Sequence, residues 1–176
     1  MFDPAEAKMN EPERGLDAWK RVHYAKTAAK TTPQEALDHS LVKWYGLRVR
    51  ELEHYGLEVN QYGHVVELDE YRDEVNLLEI DCTSCALCVH HFDRMGDGPR
   101  CQLCPIALSR EGVPCDVEAD GERESPWQSW LQEHDPEPML GVLEEARDWV
   151  EFHRAQQEMA QEQLRREADK YGPERK

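Results

Sequence analysis

Hydrophobic positions fall into helical spacing in two long stretches, with short alternating pieces between them. In "TTPQEALDHSLVKWYGLRVRELEHYG", Leu37, Leu41, Trp44 and Tyr45 recur every three or four residues, the mark of one helical face. Thr32 suits the capping position, Pro33 the first helical position and Glu35 the third. Leu47, Leu52 and Tyr55 extend an apolar face, so the pattern predicts a helix over 33–55 with a stop at Gly56. Gly46 either interrupts that helix or marks a place where another element packs close. Toward the other end, Asp135 and Pro136 open a helix over 136–155. Its face is Met139, Val142, Leu143, Ala146, Trp149 and Val150, with His153 at the margin. A shorter helix over 126–133, opened by Ser125 and Pro126, carries Trp127, Trp130 and Leu131.

Between these helices the pattern changes. Val- and Tyr-rich pieces flank Asn60–Gly63 and predict a hairpin of 57–61 with 64–69. "VNLLEI", 75–80, reads as a further strand. One or two helical turns start at Pro105 and end at Gly112, and 116–125 is an acidic loop. Residues 1–30 show no durable periodicity and read as a flexible N-terminal arm with a short helix near Trp19. Beyond Phe152 the apolar content falls, so 156–176 reads as a charged helical or frayed tail. Trp44, Trp127, Trp130 and Trp149 lie on helical faces and are expected in the core. Trp127 or Trp130, if exposed, would be a binding anchor.

Charge narrows the function classes. The chain of 176 residues has a net charge of −16. Residues 1–80, 81–125 and 126–176 are each net acidic. That argues against direct binding of nucleic acid and against an anionic membrane surface. It permits long-range attraction to a basic protein. "MFDPAEAKMNEPERGLDAWK" has no apolar run after its Met, and no later stretch approaches the length of a membrane span. The expectation is a cytoplasmic protein, whose cysteines stay reduced and favour a metal over disulfides.

Five of six cysteines fall in "DCTSCALCVHHFDRMGDGPRCQLCP", at 82, 85, 88, 101 and 104, with Cys115 further on. A C-x-x-C pair points two sulfurs at one ion, and two pairs close a tetrahedral zinc shell. Cys85, Cys88, Cys101 and Cys104 are the expected ligands. The loop between them carries Gly96, Gly98 and Pro99, which let the chain turn back. Such a site supplies folding energy and has no open position for chemistry. The register admits Cys82 with Cys85 as the first pair. The run Cys82-x2-Cys85-x2-Cys88 also fits part of a ferredoxin spacing, so an iron–sulfur cluster on Cys82, Cys85, Cys88 and Cys104 or Cys115 is the alternative cofactor. Cys115 reads as a small buried side chain beneath the cluster, a replacement ligand or a reactive thiol. His90 and His91 sit between the pairs, as in nucleases of the HNH type. The twelve-residue loop has no room for that fold's catalytic unit. One of the two is expected to pack on the knuckle, to bond a thiolate or to replace a cysteine. No phosphate loop, dinucleotide fingerprint, nucleophile elbow or H-E-x-x-H helix occurs, and Asp93, Asp97 and Gly98 lack the alternation of a calcium loop.

The stretches "ALDHSLVKWYGLRVRELEHYGLEVNQYG", "CALC", "CQLCPI", "GVPC", "SPW" and "HDPEPML" together resemble a group of small phage and bacterial proteins. Their pattern is C-x-L-C, a loop, C-x-x-C-P-[LI], then G-x-P-C, covering about residues 36–152 here. The resemblance implies roles for Cys85, Cys88, Cys101 and Cys104, places Cys115 in the G-x-P-C position and leaves Cys82 as an extra. A phage setting would favour action on a host protein.

The fold expected is mainly α with a small β-hairpin: one domain over 31–155, organised by a zinc knuckle at 82–115, with an extended C-terminal helix. The function expected is that of a non-enzymatic acidic zinc-binding protein that holds a basic protein partner, with DNA mimicry as one form of this. The alternatives are an iron–sulfur redox or regulatory protein and a metal-dependent hydrolase or HNH-like nuclease. A small-molecule substrate is not expected.

Overall fold

The computed structural model describes residues 13–24, 32–67, 77–93, 98–99 and 101–171. The chain is mainly helical. Its helices are α1 (Leu16–His23), α2 (Pro33–Gly46), α3 (Val49–Tyr55), α4 (Ala86–His90), α5 (Pro105–Ser109), α6 (Pro126–Glu133) and α7 (Glu137–Tyr171). The strands are β1 (Leu57–Val59), β2 (Val65–Glu67), β3 (Leu77–Leu78), β4 (Phe92–Asp93) and β5 (Gly98–Pro99). β1, β2 and β3 form an antiparallel sheet in that order, and β4 pairs with β5.

The capping signals act as the sequence predicts. Thr32 accepts from the Glu35 N–H, and Glu35 accepts from the Thr32 N–H, so α2 starts in a closed box. Ser125 and Gln128 do the same for α6. From that start α2 buries Ala36, Leu37, Ser40, Leu41, Lys43 and Trp44. It packs against α1, α4 and α7, while α5 and α6 also pack on α7. Trp44 meets Trp130 edge-on at 5.3 Å and Trp127 at 6.3 Å. Trp130 is fully buried, so it is core and not a binding anchor. Each large side chain buried in this way contributes about 1.5–3 kcal/mol.

The helix predicted over 33–55 is two helices. α2 ends at Gly46 because its last turn is occupied from outside. The Trp19 indole donates to the Gly46 carbonyl at 2.8 Å, taking the acceptor that the Arg50 N–H would use in a continuous helix. The His23 ring lies over the Gly46 Cα, where a Cβ would meet His23 Nδ1 at 2.6 Å and His23 Cβ at 2.8 Å. Leu47 and Arg48 then bond back three residues, to Trp44 and Tyr45, and the chain turns into α3. Gly46→Ala should therefore cost about 1–3 kcal/mol, the range for overpacking a rigid contact. A urea melt showing a lower midpoint at unchanged slope checks this.

The same contact corrects the reading of 1–30 as a loose arm. Leu16, Trp19 and His23 share one face of α1, and Leu16 and Trp19 are fully buried. The Gly15 N–H donates to the Tyr55 carbonyl, and the Leu16 N–H to Glu67, each at 2.8 Å. The short helix near Trp19 is thus docked on α2, α3 and β2. Residues 1–12 and 25–30 of the arm lie outside the described residues.

The hairpin turns where expected. Asn60 Oδ1 accepts from the Tyr62 and His64 N–H groups, and Gly63 takes φ 78°, a conformation that favours glycine. The strands are shorter than predicted, and 68–69 lie outside the described residues. Of the strand at 75–80, Leu77 and Leu78 pair with β2, and 75–76 lie outside. The helix predicted over 136–155 runs without interruption to Tyr171, taking in most of the tail. It is exposed from Arg154 through Lys170. The remainder of the tail, 172–176, lies outside the described residues.

Candidate metal centre

Two short segments of the same local form deliver the cysteines. Asp81 caps a 3-10 turn at Cys82–Ser84, its carboxylate accepting from the Ser84 N–H at 2.9 Å and the Thr83 hydroxyl at 2.8 Å. Cys85 follows in an extended conformation, and α4 starts at the next residue. Downstream, Cys101–Leu103 form a second 3-10 turn, Cys104 is extended and α5 starts at Pro105. Pro105 suits a first helical position because its missing N–H would lack a partner there. α4 packs on α2 and α5 on α7, so the helical core holds both segments in place.

Cys88 sits one turn along α4 from Cys85. The neighbouring Cys88 thiol holds Cys85 well below the usual thiol range, with Lys43 adding to the effect. Cys85, and then burial, pushes the Cys88 pKa up. Burial pushes Cys104 up to about 11 and Cys115 up to about 12, and raises Cys101 as well. Cys82 is exposed and the other five cysteines are half-buried. Cys88, Cys101, Cys104, Cys115 and His91 line a cavity of about 20 Å³ whose remaining walls are apolar. That is room for one water or one ion.

A side chain from α2 completes the site. Lys43 is fully buried. Its ammonium donates to the Ser84 carbonyl at 2.9 Å and the Ser84 hydroxyl at 3.2 Å. Burial lowers its pKa, and Cys85, Cys88, Asp81 and Cys115 pull the other way. Ser40, one turn before it, places its hydroxyl 3.6 Å from Cys85 Sγ and accepts from the Leu87 N–H. A buried ammonium is costly unless an opposite charge lies close. Cys85, held below the usual thiol range, is placed to supply that charge.

His90 and His91 stack edge-on at 4.9 Å. His91 faces the cavity, and its buried Nε2 has no hydrogen-bond partner among the described residues. Burial, followed by the neighbouring His90, lowers the His91 pKa, so the ring is held neutral as a ligand or a thiolate partner requires. Among the described residues, no three His, Cys, Asp or Glu side chains stand in the arrangement that holds an ion. Holding an ion there would require the thiols to turn into the cavity.

Arg110 fixes the segment that carries Cys115. Its guanidinium donates to the Pro114 carbonyl at 2.7 Å and to both Glu122 oxygens at 2.8 and 2.9 Å. Arg110→Ala should free this segment and speed alkylation of Cys115 several-fold, while Cys85 changes little. Timed thiol labelling with peptide mapping measures both.

No protein-family model, curated protein or solved structure matches the chain. No helix among the described residues is long and apolar enough to cross a membrane. Of the expected ligands, the structure brings Cys88, Cys101 and Cys104 to one cavity, and Cys85 lies one turn before Cys88 without lining it. It brings Cys115, expected beneath the cluster or as a replacement ligand, to the same cavity, and it adds Lys43, which the sequence reading did not name. A signal for Lys43 was present: Ala36, Ser40, Lys43 and Leu47 recur at helical spacing, and Lys43 breaks the polarity of a buried stripe.

Proposed function

We propose that this chain is a non-enzymatic interaction protein, in which a structural zinc ion stabilises an acidic body that holds a basic protein partner. The observation that carries the reading is the form of the thiol centre. Cys88, Cys101, Cys104 and Cys115 line a cavity of about 20 Å³, sized for an ion and too small for a substrate, and the buried Lys43 feels the charge of Cys85, Cys88 and Cys115. The same size favours one ion over an iron–sulfur cluster, which also has to place iron and sulfide between its ligands. Thiolates that complete a zinc shell leave no catalytic position. The net charge of −16 then supplies the long-range attraction to a basic surface, a DNA-binding face among them. The phage resemblance fits a partner from the host.

The test compares wild type with a variant neutralised at Asp116, Glu118, Asp120 and Glu124. Each is immobilised and exposed to host lysate at low and high salt. The expected result is a basic protein retained at low salt, released by salt and lost in the variant. Nothing retained at low salt, together with metal-dependent hydrolysis abolished by His90→Ala or His91→Ala, would favour the nuclease alternative.

A further inference from the structure

We infer that a cleft between α3, β1 and the end of α6 is the surface that holds the partner. Its occupant is a segment of a basic protein in which an apolar side chain is flanked by lysine or arginine. This rests on the reading of an acidic body that holds a basic protein, and it names the contact surface.

The cleft has a volume of about 370 Å³, within the range of about 300–1,000 Å³ usual for binding pockets. Its floor is Leu47, Leu52 and Leu57, all buried and all part of the central apolar cluster. Val49 and Val59 extend this apolar lining upward, and Val49 is 68% exposed. An apolar side chain laid against them takes that surface out of water. Backbone geometry holds the gap in shape. Gly56, left-handed at φ 71°, joins α3 directly to β1. α6 ends at His134, and the hairpin turn packs beside that ring: a Cβ at Gly63 would stand 3.9 Å from it.

Charge names the occupant. Glu53 from α3, Glu58 from β1 and Glu133 from α6 line the same cleft, and all three are exposed. They come from three separate elements, so they are not the solvated face of one helix. Among the described residues none of the three forms an ion pair. No lysine or arginine lines the cleft, and the remaining lining side chain is His134. Arg48, next to Val49, is committed to Glu137 through bonds of 2.6 and 2.8 Å. The surface is thus apolar at its floor and negative at its rim, with no lysine or arginine of its own in the lining. A lysine or arginine matches both parts: its aliphatic stem packs on the apolar wall while its head reaches a carboxylate. An acidic segment or a phosphate backbone would be repelled. The acidic loop at 116–125 steers a partner from a distance, and the cleft makes the contact.

The test uses the full chain and short fluorescent peptides that alternate two residue types: Lys with Leu, Lys with Ser, and Glu with Leu. Binding is read by anisotropy at low salt and neutral pH. The Lys–Leu peptide should bind at least about tenfold more tightly than the Lys–Ser peptide, because leucine buries apolar surface. The Glu–Leu peptide should not bind. The combined substitutions Glu53→Gln, Glu58→Gln and Glu133→Gln should weaken the Lys–Leu peptide by about fivefold or more. Val49→Ser should weaken it as well. All four positions are exposed, so these variants keep the fold. Neutralising Asp116, Glu118, Asp120 and Glu124 should change it by less than about twofold, because none of them lines the cleft. Equal binding of the two lysine peptides, or a larger loss from the loop variant than from the cleft variant, overturns the assignment and leaves the basic-partner reading intact. Failure of both lysine peptides to bind also overturns the assignment. Nothing retained from host lysate in addition overturns the reading beneath it.

Discussion

Removing zinc with a strong chelator is expected to unfold the segment from Asp81 to Cys115 and to loosen the helices around it. Structural zinc sites contribute about 10–16 kcal/mol of binding free energy at neutral pH. A domain of this size has a net stability of about 5–15 kcal/mol. On the proposed reading, the ion would account for a share comparable to the whole. The local structure explains why so much rests on it. α4 and α5 have five residues each, too short to persist alone, and the two β-pairs near them are two residues long. The loss should spread to α6, because the Trp127 N–H is bonded to the Cys115 carbonyl. Trp127 and Trp130 pack on Trp44, so tryptophan fluorescence should change together with helical circular dichroism. Adding zinc back should restore both. A melting temperature unchanged by chelation would show that the cysteines form an ordinary part of the core.

The second large effect is a separation of two properties in Lys43→Met. Met fills similar volume and removes the charge. In the metal-free chain two effects oppose each other. Removing a buried ammonium relieves a desolvation cost and can stabilise by about 1–4 kcal/mol. Orphaning the Ser84 carbonyl costs about 1–3 kcal/mol. The stability of the metal-free chain should therefore change little. Zinc affinity should fall about 10–100-fold, the usual loss when a supporting group beside metal ligands is removed. Competition with a chromogenic chelator measures the affinity, and a urea melt measures the stability. Unchanged zinc affinity with a stability loss would make Lys43 a clamp on the 82–84 turn alone.

Features set by near neighbours in sequence were legible before the fold. Thr32, Pro33 and Glu35 place the start of α2, and Ser125 and Pro126 place that of α6, because a cap depends on residues within one turn. Asn60 and Gly63 place the hairpin turn for the same reason. Features decided by distant residues were not. The docking of α1 depends on a bond from Trp19 to the carbonyl of Gly46, across 27 positions. That bond also divides the helix predicted over 33–55. The cysteine spacing announced the centre without ranking its members. Cys101 and Cys85 both belong to C-x-x-C pairs, and one opens its turn while the other closes it. Cys115 enters through a loop fixed by Arg110 and Glu122, a pairing with no periodic signature. Lys43 was visible as a polar residue on an apolar stripe, yet the thiols that it faces lie more than forty residues further along the chain.

The central claim is that one zinc ion belongs to the folded protein. Its most direct test is the metal content of the chain purified without added metal, by elemental analysis and native mass spectrometry. The expected result is about one zinc per chain, lost together with the fold on acidification, as protons compete for the thiolates. Folded protein carrying less than about half an equivalent of zinc would contradict it, and so would iron with sulfide and absorption near 400 nm.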